Sequence, residues 1–159
     1  MFGCPETVGQ DFDCRNNRLT FLTGCPSKIK GYFDCSGNNI NFLNGCPKEV
    51  GYYFDCSYNR LSSLKDGPSI VGDEYKCNNN DLTSLSGSPK EINGNFECKN
   101  NLLTSLVGGP EKVRIDFDCR SNRLTSLDGS PSKIGYYFIC DSYLRKEAEA
   151  KGYSLRPIY

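Results

Sequence analysis

The chain has 159 residues, no histidine, and 19 basic side chains against 19 acidic ones. This balance leaves no overall basic field that would gather nucleic acid or an anionic membrane. No apolar run reaches the roughly 20 residues that a membrane span needs, and the first residues do not resemble a secretory leader. We therefore expect a cytoplasmic chain with no membrane partner.

Seven cysteines, here called the ladder cysteines, follow one another at intervals of 21 residues: Cys14, Cys35, Cys56, Cys77, Cys98, Cys119 and Cys140. Cys4, Cys25 and Cys46 form a second column with the same interval. Parallel thiols from successive turns do not converge as a zinc site requires, and a spacing of about 4.8 Å exceeds the roughly 3.8 Å between the Cβ atoms of a disulfide. We expect free thiols that act as small apolar fillers, with no metal or other cofactor.

Other residue types recur at fixed distances from each ladder cysteine. Around Cys56 these are Val50 six positions before, Phe54 two before, Asn59 three after, Leu61 five after and Leu64 eight after. Ring and cysteine alternate with period two, so both point inward from a short strand while their neighbours face solvent. One repeat cannot bury its own apolar side, and stacking of the repeats would build the core. Gly and Pro on the return path favour extended or 3₁₀ turns there, so we expect one strand per repeat.

The Asn column has a structural interpretation, because a side-chain amide can bond backbone groups that a turning chain leaves unpaired. An Asn–Cys catalytic pair is disfavoured, since no histidine is present to act as a base and the motif recurs six times. The sequence therefore predicts a protein that is not an enzyme.

The repeated motif Phe-x-Cys-x-x-Asn-x-Leu-x-x-Leu-x-Gly-x-Pro resembles the short leucine-rich repeat of bacteriophage and bacterial proteins. The resemblance covers residues 3–140, and its best copies surround Cys56 and Cys119. It implies a β-solenoid with a parallel β-sheet of about seven short strands and irregular return segments. It also implies a binding role, and it gives no active site that could be transferred from the family to this chain.

The pattern divides the chain into a solenoid, residues 1–140, and a C-terminal cap, residues 141–159. Asp141 and Ser142 can start a helix that runs to Lys151, and Gly152 can stop it. Nothing comparable precedes the first repeat, so the strand around Phe12 is a candidate edge for pairing with a second copy of the chain.

Three columns on the exposed side of the strands, three before, one before and one after the ladder cysteine, are here called the strand face. They carry nine acidic and four basic side chains, together with three tyrosines. The candidate partner-binding residues are Tyr32, Asp34, Tyr53, Asp55, Glu74, Glu97, Asp116, Asp118 and Tyr137. Like charges stacked one coil apart repel each other, and a basic partner would relieve that repulsion. The alternative is that these charges only keep the sheet soluble, with Arg15, Lys99 and Arg120 neutralising their neighbours.

Two functions stay open. The first is a protein-binding module for a partner with a basic surface; a phage-encoded inhibitor of a host defence or nucleic-acid-binding protein, acting in the bacterial cytoplasm, is one form of it. The second is a structural component that joins subunits through its sheet edge. Direct nucleic-acid binding by the strand face is disfavoured because phosphates would meet the acidic columns. Arg18, Arg60 and Arg123 form a weaker basic stripe, which random placement explains as well as RNA contact does.

Overall fold

The computed structural model describes residues 4–157, which form a β-solenoid of about six turns with repeats of about 21 residues. The strands are β1 (Thr7–Val8), β2 (Phe12–Asp13), β3 (Lys28–Ile29), β4 (Phe33–Asp34), β5 (Glu49–Val50), β6 (Phe54–Asp55), β7 (Ile70–Val71), β8 (Tyr75–Lys76), β9 (Glu91–Ile92), β10 (Phe96–Glu97), β11 (Lys112–Val113), β12 (Phe117–Asp118), β13 (Lys133–Ile134) and β14 (Phe138–Ile139). Each repeat thus contributes two short strands, and the prediction of one strand per repeat was wrong.

The even-numbered strands form the predicted parallel sheet. Their order, β14-β12-β10-β8-β6-β4-β2, follows the chain from one coil to the next. Pairing is in register at intervals of 21 residues, so that Phe33 lies opposite Phe54 and Asp34 opposite Asp55. The repeat length therefore places equivalent side chains directly above one another.

The odd-numbered strands lie on the return path, which the sequence had suggested to be irregular. They form a four-stranded parallel sheet, β1-β3-β5-β7, and a three-stranded one, β9-β11-β13. Within residues 4–157 no strand pairing joins β7 to β9. The inward Val or Ile of each repeat anchors these strands, since Ile29, Val50 and Val113 are at most 1% exposed.

The core consists of stacked columns, as predicted. The rings two positions before the ladder cysteines form a continuous stack from Phe12 to Phe138, with centroid separations of 4.9 Å between Phe54 and Tyr75 and 5.9 Å between Phe33 and Phe54. All seven ladder cysteines are buried and unpaired, which confirms their inward orientation. A stack of this kind buries its apolar area between coils rather than within any one of them.

The Asn column ties each coil to its neighbour. The Asn59 side-chain amide donates to the carbonyl oxygens of Cys35 (3.0 Å), Cys56 (3.1 Å) and Ser57 (3.2 Å), and its Oδ1 accepts from the backbone N–H of Ile40 at 3.0 Å. The structural interpretation of this column is therefore confirmed.

The C-terminal segment begins with a 3₁₀ helix over Ser142–Leu144 and continues as α1, Arg145–Ala150, with Gly152 at a φ of 81° beyond it. Asp141 is the N-cap residue of this helix, as predicted, but its side chain makes no cap bond to the helix. Its carboxylate instead accepts the backbone N–H of Ser121, in the preceding coil, at 3.0 Å.

This segment supplies the last coil with the groups that a further coil would supply. The Leu127 N–H donates to Glu147 Oε1 at 2.8 Å, and the Phe138 N–H donates to the Ser154 carbonyl at 2.8 Å. The Tyr153 ring stacks on Phe138 with centroids 4.6 Å apart. The helix and the following turn therefore act as a cap.

Candidate functional site on the strand face

The strand face is less exposed than the alternation of the strands predicted. Asp34 and Asp118 are buried, at 4% and 5% exposure, although both were expected to face a partner. Tyr137 is exposed, and six other candidates are half-buried: Tyr32, Tyr53, Asp55, Glu74, Glu97 and Asp116. The expectation of free carboxylates fails for Asp34 and Asp118 because neighbouring side chains fold over them.

The aspartates one position before the ladder cysteines accept hydrogen bonds from their own coil, two residues further on. Asp34 Oδ1 accepts the Ser36 N–H at 3.0 Å and the Ser36 hydroxyl at 2.6 Å, and Asp55 Oδ1 accepts the Ser57 N–H at 2.8 Å. Asp118 Oδ1 likewise accepts the N–H of residue 120, at 3.2 Å. Short bonds of this type from Asp to the backbone two residues on are a structural use of the residue.

Cations within the chain neutralise part of the acidic face. Arg15 lies 3.1 Å from Asp13 and 3.6 Å from Asp34, so one guanidinium bridges two coils. Arg120 contacts Asp118 with both a 3.0 Å and a 2.7 Å hydrogen bond. At these positions the structure agrees with the alternative interpretation, in which Arg15 and Arg120 neutralise neighbouring carboxylates.

For other acids of the face the nearest cation is more distant: Lys76 lies in register between Asp55 and Glu97, and its charge acts on both without an ion pair. Among residues 4–157, Asp55, Glu97 and Asp116 form no ion pair. Burial raises the pKa of the Asp55 carboxyl and nearby Asp34 adds to the effect, whereas bonds from Ser57 act in the opposite direction. Asp55 is thus a carboxylate whose charge costs free energy in the folded chain.

Asp116 also has an internal role. Its carboxylate accepts the Tyr137 N–H at 3.0 Å, while its own N–H donates to Asn95 Oδ1 at 3.0 Å. Glu97 accepts the Asn78 side-chain amide at 2.7 Å. Acceptor oxygens that already bond the neighbouring coil offer fewer free lone pairs to a partner.

The structure brings Tyr32 and Tyr53 together. Their rings are stacked with centroids 4.6 Å apart and an interplanar angle of 6°. The Lys76 ammonium lies 5.7 Å from the Tyr53 centroid and 2.7 Å from the Glu74 carboxylate. Burial raises the pKa of the Tyr53 hydroxyl, and the Asp34 charge raises it further. The pair is therefore a preformed aromatic platform with a neutral phenol at ordinary pH.

Tyr137 is not part of this platform. It lies four coils from Tyr53, which corresponds to about 19 Å at the usual strand spacing. The candidate residues consequently fall into two groups along the face, one around the stacked tyrosines and one around Asp116, Asp118 and Tyr137.

Sequence reasoning missed the tyrosines four positions before the ladder cysteines. Tyr52 is 58% exposed and its ring centroid lies 6.4 Å from that of Tyr53; Tyr136 is 64% exposed. The signal was the doubled tyrosine at 52–53 and again at 136–137. We call Tyr32, Tyr52 and Tyr53 the tyrosine patch.

The described residues contain no group of three or more histidine, cysteine or acidic side chains arranged to hold a metal ion. Burial raises the pKa of the thiols of Cys56, Cys77 and Cys98 well above the ordinary value, which leaves them protonated and poor nucleophiles. Over residues 4–157, no helix has the length and apolarity to cross a membrane.

Comparison with known proteins yields no family model, no curated protein and no solved structure that matches the chain.

Proposed function

We propose that this protein is a non-catalytic protein-binding module that uses the strand face to hold a basic surface of its partner. The observation that carries the proposal is the stacked Tyr32–Tyr53 pair, which lies beside acidic columns that the chain neutralises only in part. The repeat motif also supports it, because the proposed relationship to leucine-rich repeats implies a binding role. A phage-encoded inhibitor of a bacterial host protein is the form of this function that we favour.

The tyrosine patch supplies the anchor. Exposed rings with a polar tip are enriched at the centres of protein interfaces, and a pair that is already stacked loses little conformational freedom on binding. The half-buried Asp55 and Glu97 lie on the same face and, among the described residues, form no ion pair that would neutralise them. A lysine or arginine of the partner would fill that role.

Asp34 and Asp118 are not assigned to partner contact, although both belong to the face. They are buried and their oxygens bond their own coil. Reversal of Asp34 to Lys would therefore disturb the fold, and it is unsuited to a binding test.

The experiment is quantitative capture from bacterial lysate on the immobilised protein at about 50 mM and about 500 mM salt. Two double variants, Tyr32→Ala/Tyr53→Ala and Asp55→Asn/Glu97→Gln, are compared with Lys28→Ala/Lys133→Ala on the return strands. We expect a protein that is retained at low salt, released at high salt, and lost from both strand-face variants. Once the captured protein is purified, its binding to the tyrosine variant should be weaker than its binding to the wild type by about 2 kcal/mol or more. Loss only from the lysine variant would place the binding surface on the return strands and contradict the proposal.

A second candidate function is assembly through the first coil. Val8, Phe12 and Leu19 are only partly buried, whereas their counterparts Ile29 and Phe33 in the next coil are at most 1% exposed. An incompletely covered apolar coil can pair with another strand edge. Sedimentation analysis tests this: a salt-insensitive dimer that Phe12→Ser dissociates would favour assembly, and a monomer over the whole concentration range would favour the binding module.

A further inference from the structure

A column of serines lies seven residues after the ladder cysteines, on the edge where each coil leaves the strand face. In four coils the hydroxyl oxygen accepts the backbone N–H two residues further on. The distances are 3.1 Å from Lys65 to Ser63, 3.1 Å from Ser86 to Ser84, 3.1 Å from Val107 to Ser105 and 3.3 Å from Asp128 to Ser126. The serine thus closes a local turn, as short hydroxyl side chains commonly do.

In the first two coils this column holds Phe21 and Phe42 instead. The two rings are 58% and 67% exposed. A phenylalanine has no oxygen to accept the turn hydrogen bond, which ordinarily contributes about 1 kcal/mol. The substitution therefore gives up the hydroxyl acceptor and places apolar area in water, and neither effect favours folding. Stability gives no reason for two adjacent coils to carry this ring.

The surface beside Phe42 is concave. Phe42 and Asn44 of one coil and Ser63, Lys65 and Asp66 of the next line an open pocket of about 410 Å³. One wall is an aromatic ring and the opposite wall is polar. A pocket of this kind can seat an apolar side chain while its rim bonds polar groups of the same ligand.

The charge of this edge is opposite to that of the strand face. Arg18 lies three residues before Phe21, and Arg60 three residues before Ser63. Arg18, Arg60 and Lys65 are exposed, and in the part of the chain that the structure describes none of them forms an ion pair. Asp66 is the acidic side chain of the pocket lining. The charges around the rings therefore favour an acidic ligand.

The area available limits the size of the occupant. Two phenylalanine rings, each able to bury about 150–250 Å², offer far less than the roughly 800 Å² per partner of a stable protein interface. A dimer of this chain through the rings alone would be too small. A short segment with two apolar anchors fits the surface better.

We infer that Phe21 and Phe42, with the pocket beside Phe42, bind a short acidic segment of another protein that carries apolar side chains. Its carboxylates would meet Arg18, Arg60 and Lys65. This surface is separate from the strand face and selects the opposite charge, so one chain could hold two different partners at once. A single nucleic-acid strand is the less suitable ligand, because strand binding needs a positive groove that follows the phosphates over several nucleotides.

The test exploits the serine column. The variant Phe21→Ser/Phe42→Ser restores the residue that the other coils use, so it should keep or raise the melting temperature of the whole chain. A displayed library of random peptides of about 12 residues is selected on the wild-type protein. Enriched peptides are then measured by fluorescence anisotropy against the wild type, this double variant, and Tyr32→Ala/Tyr53→Ala.

We expect enriched peptides that combine Asp or Glu with Leu, Phe or Ile, and binding at least about tenfold weaker to the serine variant. Binding to the tyrosine variant should be unchanged, which separates this surface from the strand face. A lower melting temperature of the serine variant would show that the rings stabilise the fold and would overturn the inference. The same conclusion would follow if no selected peptide distinguished the serine variant, or if a labelled oligo-dT strand bound and the peptides did not.

Discussion

The first coil and the coils in the middle of the stack carry the same residue pattern in different surroundings. Leu19 is partly exposed, whereas Leu82, at the equivalent position, is fully buried. Asn17 is exposed and, among the described residues, donates to carbonyls of its own coil, whereas Asn59 bonds both its own coil and the preceding one. The contribution of a repeat residue to stability is therefore set by its neighbours above and below as much as by its type.

Leucine substitutions in the first coil and in the middle of the stack test this difference most directly. Leu82→Ala should destabilise the chain by about 2–5 kcal/mol, because it leaves a cavity between coils that cannot collapse. Leu19→Ala should cost less than about 2 kcal/mol, since its side chain is already in contact with water. Urea unfolding of both variants gives the two free energies.

Lys90→Ala is the surface control, because the Lys90 ammonium forms an exposed ion pair with Glu111 at 3.3 Å. It should change stability by no more than about 0.5 kcal/mol. If Leu82→Ala unfolded at the same denaturant concentration as Lys90→Ala, the register of the repeat would be wrong.

Thiol labelling extends the comparison to the cysteine columns. Burial raises the pKa of Cys25 to about 11, and the thiol of Cys46, one coil further, is 4% exposed with its pKa well above the ordinary value for the same cause. Because the thiolate is the reactive form, Cys25 should react with a disulfide reagent at least about tenfold faster than Cys46. Mass spectrometry of the partly labelled chain measures both rates.

Cys77, which is fully buried, should label no faster than Cys46. In denaturant all of these thiols should react at one rate, which would show that the difference comes from the fold. Rapid native labelling of Cys77 would contradict the inward position of the ladder cysteines.

The smallest expected effect concerns a carboxylate in the third coil. The raised pKa of Asp55 means that its contribution to stability is present below the unfolded pKa, near 3.8, and is lost as the pH rises through the folded value. Asp55→Asn keeps an oxygen for the Ser57 N–H and removes the charge. It should therefore raise stability at pH 7 by on the order of 0.5 kcal/mol, and the gain should disappear toward pH 3.8.

Asp13→Asn is the matched variant in the first coil, where the carboxylate is paired with Arg15 at 3.1 Å. It should give no gain at pH 7. Thermal melts of both variants between about pH 3 and pH 7 follow the two differences. A gain from Asp13→Asn equal to that from Asp55→Asn would show that the burial of Asp55 has no effect.

The sequence predicted the interior because that part depends on periodicity alone. Ring, cysteine and leucine columns at intervals of 21 residues can only be buried together by stacking. The return strands escaped prediction because a two-residue strand has no alternation of its own. Such a strand forms only because it pairs with the strand of the next coil, as β3 does with β5, where Ile29 and Val50 are buried.

The site was less predictable, because exposure on the strand face depends on contacts between coils. The period of the strand places Asp34 outside, but Arg15 of the preceding coil and Ser36 of its own coil cover it. The role of Phe21 could likewise not be predicted, because only the hydrogen bonds of the serine column show that this position ordinarily holds a hydroxyl acceptor. The first case required contacts between coils, and the second required local hydrogen bonds that are compared from coil to coil.

The cap has a consequence for how such a chain changes length. Glu147, Ser154 and Tyr153 offer the last coil an acceptor, a carbonyl and a ring, in the roles that a following repeat would fill. Because the internal repeats present equivalent backbone N–H groups and the same stacked ring, these cap contacts could form on other coils as well. Duplication or deletion of one whole 21-residue unit would then lengthen or shorten the solenoid while the cap still covers its last coil. The surface residues of each coil could then change independently of the number of coils, so that the length of the protein and its choice of partner evolve separately.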